Sequence, residues 1–174
     1  TKEASGPQRF RGRISTAVRT DRWDDIAEEF NKRRNELLNE KTTELGMQFL
    51  LQHAAGDPDF RFPSEILSVG AGPGVLFDVV QRLEARFTTL GLQLPAIVDV
   101  DPEERMLLLS SNPRKLRGTL PELRLSADSI AAIECASFGS FTPADRVEFL
   151  KESARTLRTD GLLWLKVDRG FFAP

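Results

Sequence analysis

The chain has 174 residues, a formal net charge of −2, 40% hydrophobic residues and 29% charged residues. This length fits about one domain with a buried core, and the composition is that of a globular protein. The sequence has neither the roughly 20-residue apolar stretch of a membrane span nor the apolar core of a signal peptide, so we expect no membrane association. The single cysteine, Cys135, excludes a disulfide framework and fits a reducing compartment. We therefore expect a cytoplasmic or nuclear location.

The first 22 residues are basic although the chain as a whole is acidic. Six cations and two anions give residues 1–22 a net charge of +4, which leaves −6 for the rest of the total of −2. A basic arm of this kind fits either a solvated, poorly ordered terminus or a contact with nucleic acid or an acidic partner. We predict a flexible arm over residues 1–22.

Two helical segments follow the arm. Apolar residues recur at helical spacing over 23–39, where Trp23 and Phe30 share one face, and again over 42–55. The turn-rich stretch GDPDFRFPS, residues 56–64, then ends this part of the chain. The pattern predicts a helical domain over residues 23–60.

From residue 61 onward, strand and helix patterns alternate. EILSV (65–69) and PAIVDV (95–100) have the character of buried parallel strands, and helical spacing follows each of them. In the second of these helices we expect Asp101 to be the N-cap, with Pro102 at the first position and Glu104 completing a capping box.

Three further strands and one helix are predicted in the second half. LRL (123–125), AAIECAS (131–137) and LLWLKVD (162–168) are the candidate strands. Thr142 and Pro143 begin a helix whose buried face is expected to carry apolar residues at helical spacing. These residues are Val147, Leu150, Ala154 and Leu157. The alternation predicts an α/β fold, a Rossmann-like doubly wound and mostly parallel sheet with helices on both faces.

A glycine loop and an acidic residue mark the expected ligand site. GAGPG (70–74) joins the first strand to its helix, where ligands bind in doubly wound sheets. Val75 stands where a dinucleotide fingerprint requires glycine or alanine, and no Gly-Lys-Ser/Thr of a P-loop follows. Asp99 and Asp101 compete for the ribose-binding position after the second strand. Because Asp101 is already explained as a helix cap, we predict that Asp99 accepts the ribose hydroxyls.

ILSVGAGPG followed by IVDVDPEERM resembles the nucleotide-binding half of class I S-adenosylmethionine-dependent methyltransferases. ADRVEFLKESARTLRTDGLLWLKVD is similar to the late helix, turn and fifth strand of that family, so the resemblance covers residues 61–168. It implies an S-adenosylmethionine-binding domain over 61–174, with residues 23–60 as a lid. It also implies a methyltransferase that uses S-adenosyl-L-methionine and releases S-adenosyl-L-homocysteine.

The resemblance also implies individual contacts with the cofactor. The glycine loop would pass the methionine part, Asp99 with Val100 would hold the ribose, Asp128 with Ser129 would hold the adenine amino group, and Cys135 with Ala136 would flank the transferred methyl group. The loop residues concerned are Gly70, Ala71, Gly72 and Gly74.

The sequence departs from the family at two places. Ser68 stands where the family usually carries Asp or Glu. The chain also ends after the fifth strand, so we expect the sixth and seventh strands to be missing and the domain to be incomplete at its C-terminus. A bare sheet edge of this kind would favour a homo- or heterodimer.

Methyl transfer requires alignment and water exclusion more than a catalytic residue, so the sequence identifies no catalytic group. His53 is a possible base but more typical of a structural or surface histidine, and Glu134 is a possible orienting group for the acceptor. We expect methyl transfer to O, N or S of a small molecule, with no metal. The alternatives are an RNA or protein methyltransferase that docks through the basic arm, and a non-catalytic partner subunit.

Overall fold

The computed structural model describes residues 23–33 and 39–167, so the predicted basic arm lies outside the described residues. Five strands form one sheet in the order β3-β2-β1-β4-β5, and every neighbouring pair is parallel. The strands are β1 Glu65–Val69, β2 Ala96–Asp101, β3 Lys115–Arg117, β4 Ile130–Cys135 and β5 Leu157–Leu165. This order is the one expected of a Rossmann-like sheet, which confirms the predicted fold class.

Six α-helices accompany the sheet in the described part of the chain. They are α1 Ala27–Arg33, α2 Asn39–Gly56, α3 Val75–Arg82, α4 Glu84–Thr89, α5 Glu104–Leu109 and α6 Pro143–Thr156. Short 3-10 turns lie at Trp23–Ile26, Pro121–Leu123 and Phe138–Ser140. None of the helices described is long and apolar enough to cross a membrane.

Two apolar clusters cover the two faces of the sheet. On one face, Ile66 and Ile97 of the strands pack with residues of α2, α3 and α4, such as Met47. On the other face, Leu67 and Val98 pack with other residues, such as Phe149 of α6. Neighbouring strand residues thus point to opposite faces, and both faces are buried, as in other parallel sheets between helix layers.

The second helix of the predicted lid belongs to the core. Met47 and Leu51 of α2 are fully buried in the first cluster, and the ring of Trp164 in β5 lies against Gly46. Leu45 and Phe49 of the same helix are exposed. α2 is therefore a helix layer packed on the sheet. Within the predicted lid, the segment around α1 remains as the candidate lid.

Two predictions about the second half are wrong. The third strand is Lys115–Arg117, while Leu123 ends a 3-10 turn and residues 124 and 125 follow this turn. In α6 the buried residues are Phe149, Ser153 and Thr156, and the predicted face with Val147 and Leu150 is exposed. The reason is that Phe149 packs against two other aromatic rings, which fixes the rotation of the helix. The predicted start of α6 is confirmed, since Thr142 and Asp145 form a capping box.

Candidate functional site

A cavity of about 360 Å³ lies at the carboxyl ends of the strands. The strand order reverses between β1 and β4 at this point, which is where doubly wound sheets bind their ligands. The volume is within the usual range for small-molecule sites. The cavity is lined by the loop after β1 (Gly70, Ala71, Gly72, Pro73), by Asp101, Pro102, Glu103 and Met106, by Ala136, Ser137, Gly139, Ser140 and Phe141, by Lys166, and by Trp23 and Phe30.

The glycine loop has the conformation that its composition predicts. Gly70, Gly72 and Gly74 all have positive φ angles, of 66°, 54° and 75°. A β-carbon on Gly72 would meet nothing within 4 Å, so this residue leaves its backbone open to the cavity. A β-carbon on Gly74 would lie 2.8 Å from Cβ of Ser110 and 2.9 Å from Oδ2 of Asp99. Gly74 is therefore required for close packing, while Gly72 is free to approach a ligand.

Asp101, and not Asp99, is the acidic residue at the cavity. Its Oδ2 accepts a hydrogen bond from the Gly72 backbone N–H at 2.8 Å, and its Oδ1 accepts one from the Glu103 backbone N–H at 2.9 Å. The N-cap of α5 is Glu103, so the predicted capping box around Asp101 does not form. These two N–H groups fix the orientation of the carboxylate at the cavity.

The predicted ribose contact of Asp99 does not fit its position. Asp99 is fully buried two residues before the end of β2, and it is not among the residues that line the cavity. Its Oδ2 accepts a hydrogen bond from the Ser110 hydroxyl at 2.6 Å, and burial raises the pKa of the carboxyl. Asp99 thus holds the turn after α5 beneath Gly74. The sequence favoured Asp99 because Asp101 was assigned to a helix cap, whereas the structure places Asp101 at the cavity.

Three other predicted contacts do not fit the geometry. Asp128 and Ser129 precede β4, and their backbone N–H groups donate to carbonyl oxygens at the end of α6, so both lie at the amino end of the sheet, opposite the cavity. Val100 is buried in the second cluster, although its carbonyl oxygen accepts a hydrogen bond from Ala71 at 3.1 Å.

Cys135 is also separated from the cavity. Its side chain is fully buried in the second cluster, and burial raises the pKa of the thiol to about 12, so the thiolate is not formed near neutral pH. Its neighbour Ala136, which was predicted beside it, does line the cavity, together with Ser137. The lining residues Met106 and Lys166 were missed, because neither has a local motif.

A row of polar side chains crosses the sheet one layer below the cavity. Ser68 is in register with Asp99 on one side and with Glu134 on the other, and its hydroxyl donates to Oε2 of Glu134 at 2.7 Å. Glu134 is 3% exposed, and burial raises the pKa of its carboxyl to about 7. Its carboxylate lies directly beside the position where the sequence analysis noted the missing acid.

The stability of the chain is expected to depend on pH through Glu134. The pKa of Glu134 in the folded state, about 7, is above the ordinary glutamate value of 4.5, so the folded state binds more protons between these pH values and stability falls as pH rises through them. The loss amounts to roughly 3 kcal/mol by pH 8. Urea denaturation between pH 5 and 8 measures it. Glu134→Gln should flatten the curve, and an equal slope in both proteins would contradict the assignment.

Two aromatic side chains near α1 also line the cavity. The rings of Trp23 and Phe30 make an edge-to-face contact with their centroids 5.8 Å apart. His53, the candidate base, instead lies at the end of α2 against Phe60, with Nε2 3.7 Å from Oδ2 of Asp57. His53 is not among the residues that line the cavity.

The chain has the Rossmann-like fold of class I S-adenosylmethionine-dependent methyltransferases, as solved structures show. The plantazolicin methyltransferase BpumL, solved with a monoazolic desmethylPZN analog and SAH, aligns with a TM-score of 0.62 at 13% identity, over 87% of this chain and 56% of that one. A protein from Methanococcus maripaludis that is assigned as an S-adenosyl-L-methionine-dependent methyltransferase aligns with a TM-score of 0.59 at 14% identity. The alignment covers 82% of this chain and 62% of that one.

A third structure has the same fold. It is the complex between the Haloferax volcanii Trm112 methyltransferase activator and a protein assigned as a methyltransferase. The alignment has a TM-score of 0.55 at 16% identity and covers 83% of this chain and 58% of that one. The chain thus spans 56% to 62% of the length of these three structures. A scan against family models found no match, and neither did a search of curated proteins.

Proposed function

We propose that this chain binds S-adenosyl-L-methionine and transfers its methyl group to an oxygen, nitrogen or sulfur atom of a small molecule. The observation that carries the proposal is the Asp101 carboxylate, held by the Gly72 and Glu103 N–H groups at the edge of a cavity with a bare glycine loop. A carboxylate in this position suits the two hydroxyls of a ribose, and the loop suits a ligand that approaches the main chain.

The residues present fit the cofactor along the length of the cavity. Asp101 would accept the ribose hydroxyls, and Met106 with Pro102 would supply apolar contacts beside them. Gly70 and Gly72, which carry no side chain, would lie against the amino-acid part. The cofactor would supply the chemistry: its methyl group is bonded to a positively charged sulfonium sulfur, which leaves as the neutral thioether of S-adenosylhomocysteine.

The contribution of the protein is alignment and exclusion of water. Trp23, Phe30 and Phe141 would close an apolar wall over the reacting groups, which favours a displacement that disperses charge. Holding donor and acceptor in line requires no nucleophile from the protein. The side chains that line the cavity include the titratable residues Asp101, Glu103 and Lys166, and we assign none of them as a base.

A small-molecule acceptor is favoured by the size and the aromatic wall of the cavity. BpumL, which has the same fold, was solved in complex with a monoazolic desmethylPZN analog and SAH. Docking of RNA or protein through residues 1–22 stays a prediction, because that arm lies outside the described residues. Salt-dependent RNA binding that is lost on deletion of residues 1–22 would replace the small-molecule proposal.

The cofactor is tested by calorimetric titration with S-adenosylhomocysteine and, in parallel, with NAD. We expect S-adenosylhomocysteine to bind with a Kd in the micromolar range, about −8 kcal/mol, and NAD not to bind. Binding of NAD alone would refute the proposed cofactor. Binding of neither would favour the predicted non-catalytic partner subunit.

A further inference from the structure

The strand residues at the site form two layers. In the upper layer, each of four strands contributes one residue to the cavity wall, at or just after its end, and in the lower layer each contributes the residue two positions earlier. The upper residues are Asp101, Gly70, Ala136 and Lys166, and the lower ones are Asp99, Ser68, Glu134 and Trp164. The two layers are about 7 Å apart, since a strand rises about 3.3 Å per residue.

Glu134 lies below the part of the cavity wall that carries the least side-chain material. Gly70 has no side chain and Ala136 has only a methyl group, and these two residues end the strands β1 and β4 whose lower-layer residues are Ser68 and Glu134. The side chain of Glu134 does not line the cavity, and its carboxylate is bonded to Ser68 in the lower layer. The charge of Lys166, which does line the cavity, lowers the pKa of Glu134, so Glu134 interacts electrostatically with the cavity wall, and burial weakens the screening of this interaction.

The neighbouring groups make this carboxylate sensitive to added positive charge. The Ser68 hydroxyl donates to it, Lys166 attracts it from the cavity wall, Asp99 repels it along the row, and burial opposes its ionisation. The adjacent Cys135 thiol has a raised pKa and stays neutral. A cation above Gly70 would favour the ionised form of Glu134 and would offset the effects of burial and of Asp99, which both oppose this ionisation.

We propose that Glu134 recognises the α-ammonium group of the cofactor, so that a carboxylate on β4 supplies the negative charge that Ser68 on β1 does not. The proposal rests on the proposed function, because it requires S-adenosylmethionine in this cavity. It also gives the Ser68 hydroxyl a role, which is to orient the carboxylate from the neighbouring strand.

Binding of two ligands distinguishes recognition of the ammonium group by Glu134 from a purely structural role of this residue. S-adenosylhomocysteine carries the ammonium group, whereas 5′-methylthioadenosine has the same adenosine and thioether but no amino-acid part. In calorimetric titrations, Glu134→Gln should weaken binding of S-adenosylhomocysteine at least tenfold and leave binding of 5′-methylthioadenosine within about twofold, in line with the strength of a charge-assisted hydrogen bond. Equal losses for both ligands, or no loss for either, would overturn the proposal.

A rescue variant supplies the matched control. Ser68→Asp in the Glu134→Gln background moves the carboxylate one strand across, and we expect it to restore affinity for S-adenosylhomocysteine to within about threefold of the original chain. Ser68→Ala alone retains the Glu134 carboxylate and should weaken the same ligand by less than threefold. A double variant no better than Glu134→Gln would contradict a role for the charge itself.

Proton release gives a readout on the unmodified chain. The carboxyl of Glu134 has a pKa of about 7, and a bound ammonium group would lower it, so S-adenosylhomocysteine should release about half a proton per site at pH 7 and bind about tenfold more weakly at pH 6 than at pH 8. Titration in two buffers of different ionisation enthalpy measures the release. Binding without proton release would overturn this proposal and leave the proposed function intact, whereas no binding at all would overturn both.

Discussion

Replacing Asp101 with asparagine is expected to weaken binding of S-adenosylhomocysteine 10- to 100-fold, or about 1.4 to 2.7 kcal/mol. The reason is that both carboxylate oxygens are held at the cavity by backbone N–H groups, from Gly72 and Glu103, and we propose that they accept the ribose hydroxyls. An asparagine amide in this place keeps one acceptor and directs an N–H group at one of these donors. Calorimetric titration measures the loss.

Two variants control this experiment. Asp99→Asn removes the neighbouring carboxyl, which is buried below Gly74, and should change the affinity by less than about threefold, because hydrogen bonding to Ser110 is retained. Glu104→Gln changes an exposed carboxylate at the start of α5 and should have no effect on affinity. A larger loss with Asp99→Asn than with Asp101→Asn would show that the original prediction of Asp99 as the ribose ligand was right.

Replacing Gly74 with alanine is expected to cost about 2 to 4 kcal/mol of the free energy of unfolding. The positive φ of 75° is unfavourable for alanine by about 1 to 2 kcal/mol, and the added β-carbon would lie within 2.9 Å of Ser110 and Asp99. These two side chains are held together by a hydrogen bond, so neither moves away easily. Urea denaturation at constant pH measures the cost.

Alanine substitutions at two other glycines distinguish the effects of backbone strain, close packing and ligand binding. Gly91 has a φ of 67° and open space around it, so Gly91→Ala should cost only the conformational term of about 1 to 2 kcal/mol. Gly72 also has open space, but it lies in the cavity, so Gly72→Ala should cost a similar amount of stability and additionally weaken S-adenosylhomocysteine. If Gly74→Ala costs no more than Gly91→Ala, the close packing around Gly74 is not important.

The sheet was largely predictable because its central strands are buried on both faces. Continuous apolar runs identify β1 and β2 to within a residue, and the glycine loop follows from its composition. β3 was missed because this edge strand has three residues, Lys115–Arg117, two of them charged and two of them exposed. The face of α6 was missed because packing among aromatic rings, rather than the apolar period, sets its rotation.

The location of the site in the fold was predictable from the sequence, but its individual residues were not all predictable. The glycine loop, the acidic residue at the end of β2 and the aromatic pair of Trp23 and Phe30 all lie at the cavity. The choice between Asp99 and Asp101 depends on which residue ends the strand, and a shift of two residues keeps the same face, so alternation could not decide it. The polar row through Ser68 and Glu134 depends on register between strands far apart in sequence.

The most direct test of the cavity as an S-adenosyl site is a crystal structure of the chain with S-adenosylhomocysteine. We expect the ribose hydroxyls within about 2.6 to 3.2 Å of the Asp101 carboxylate, the amino-acid part against Gly70 and Gly72, and the rings of Trp23 and Phe30 over the ligand. A ligand with its ribose on Asp99, or bound outside the cavity at the ends of β1, β2 and β4, would contradict the proposed site.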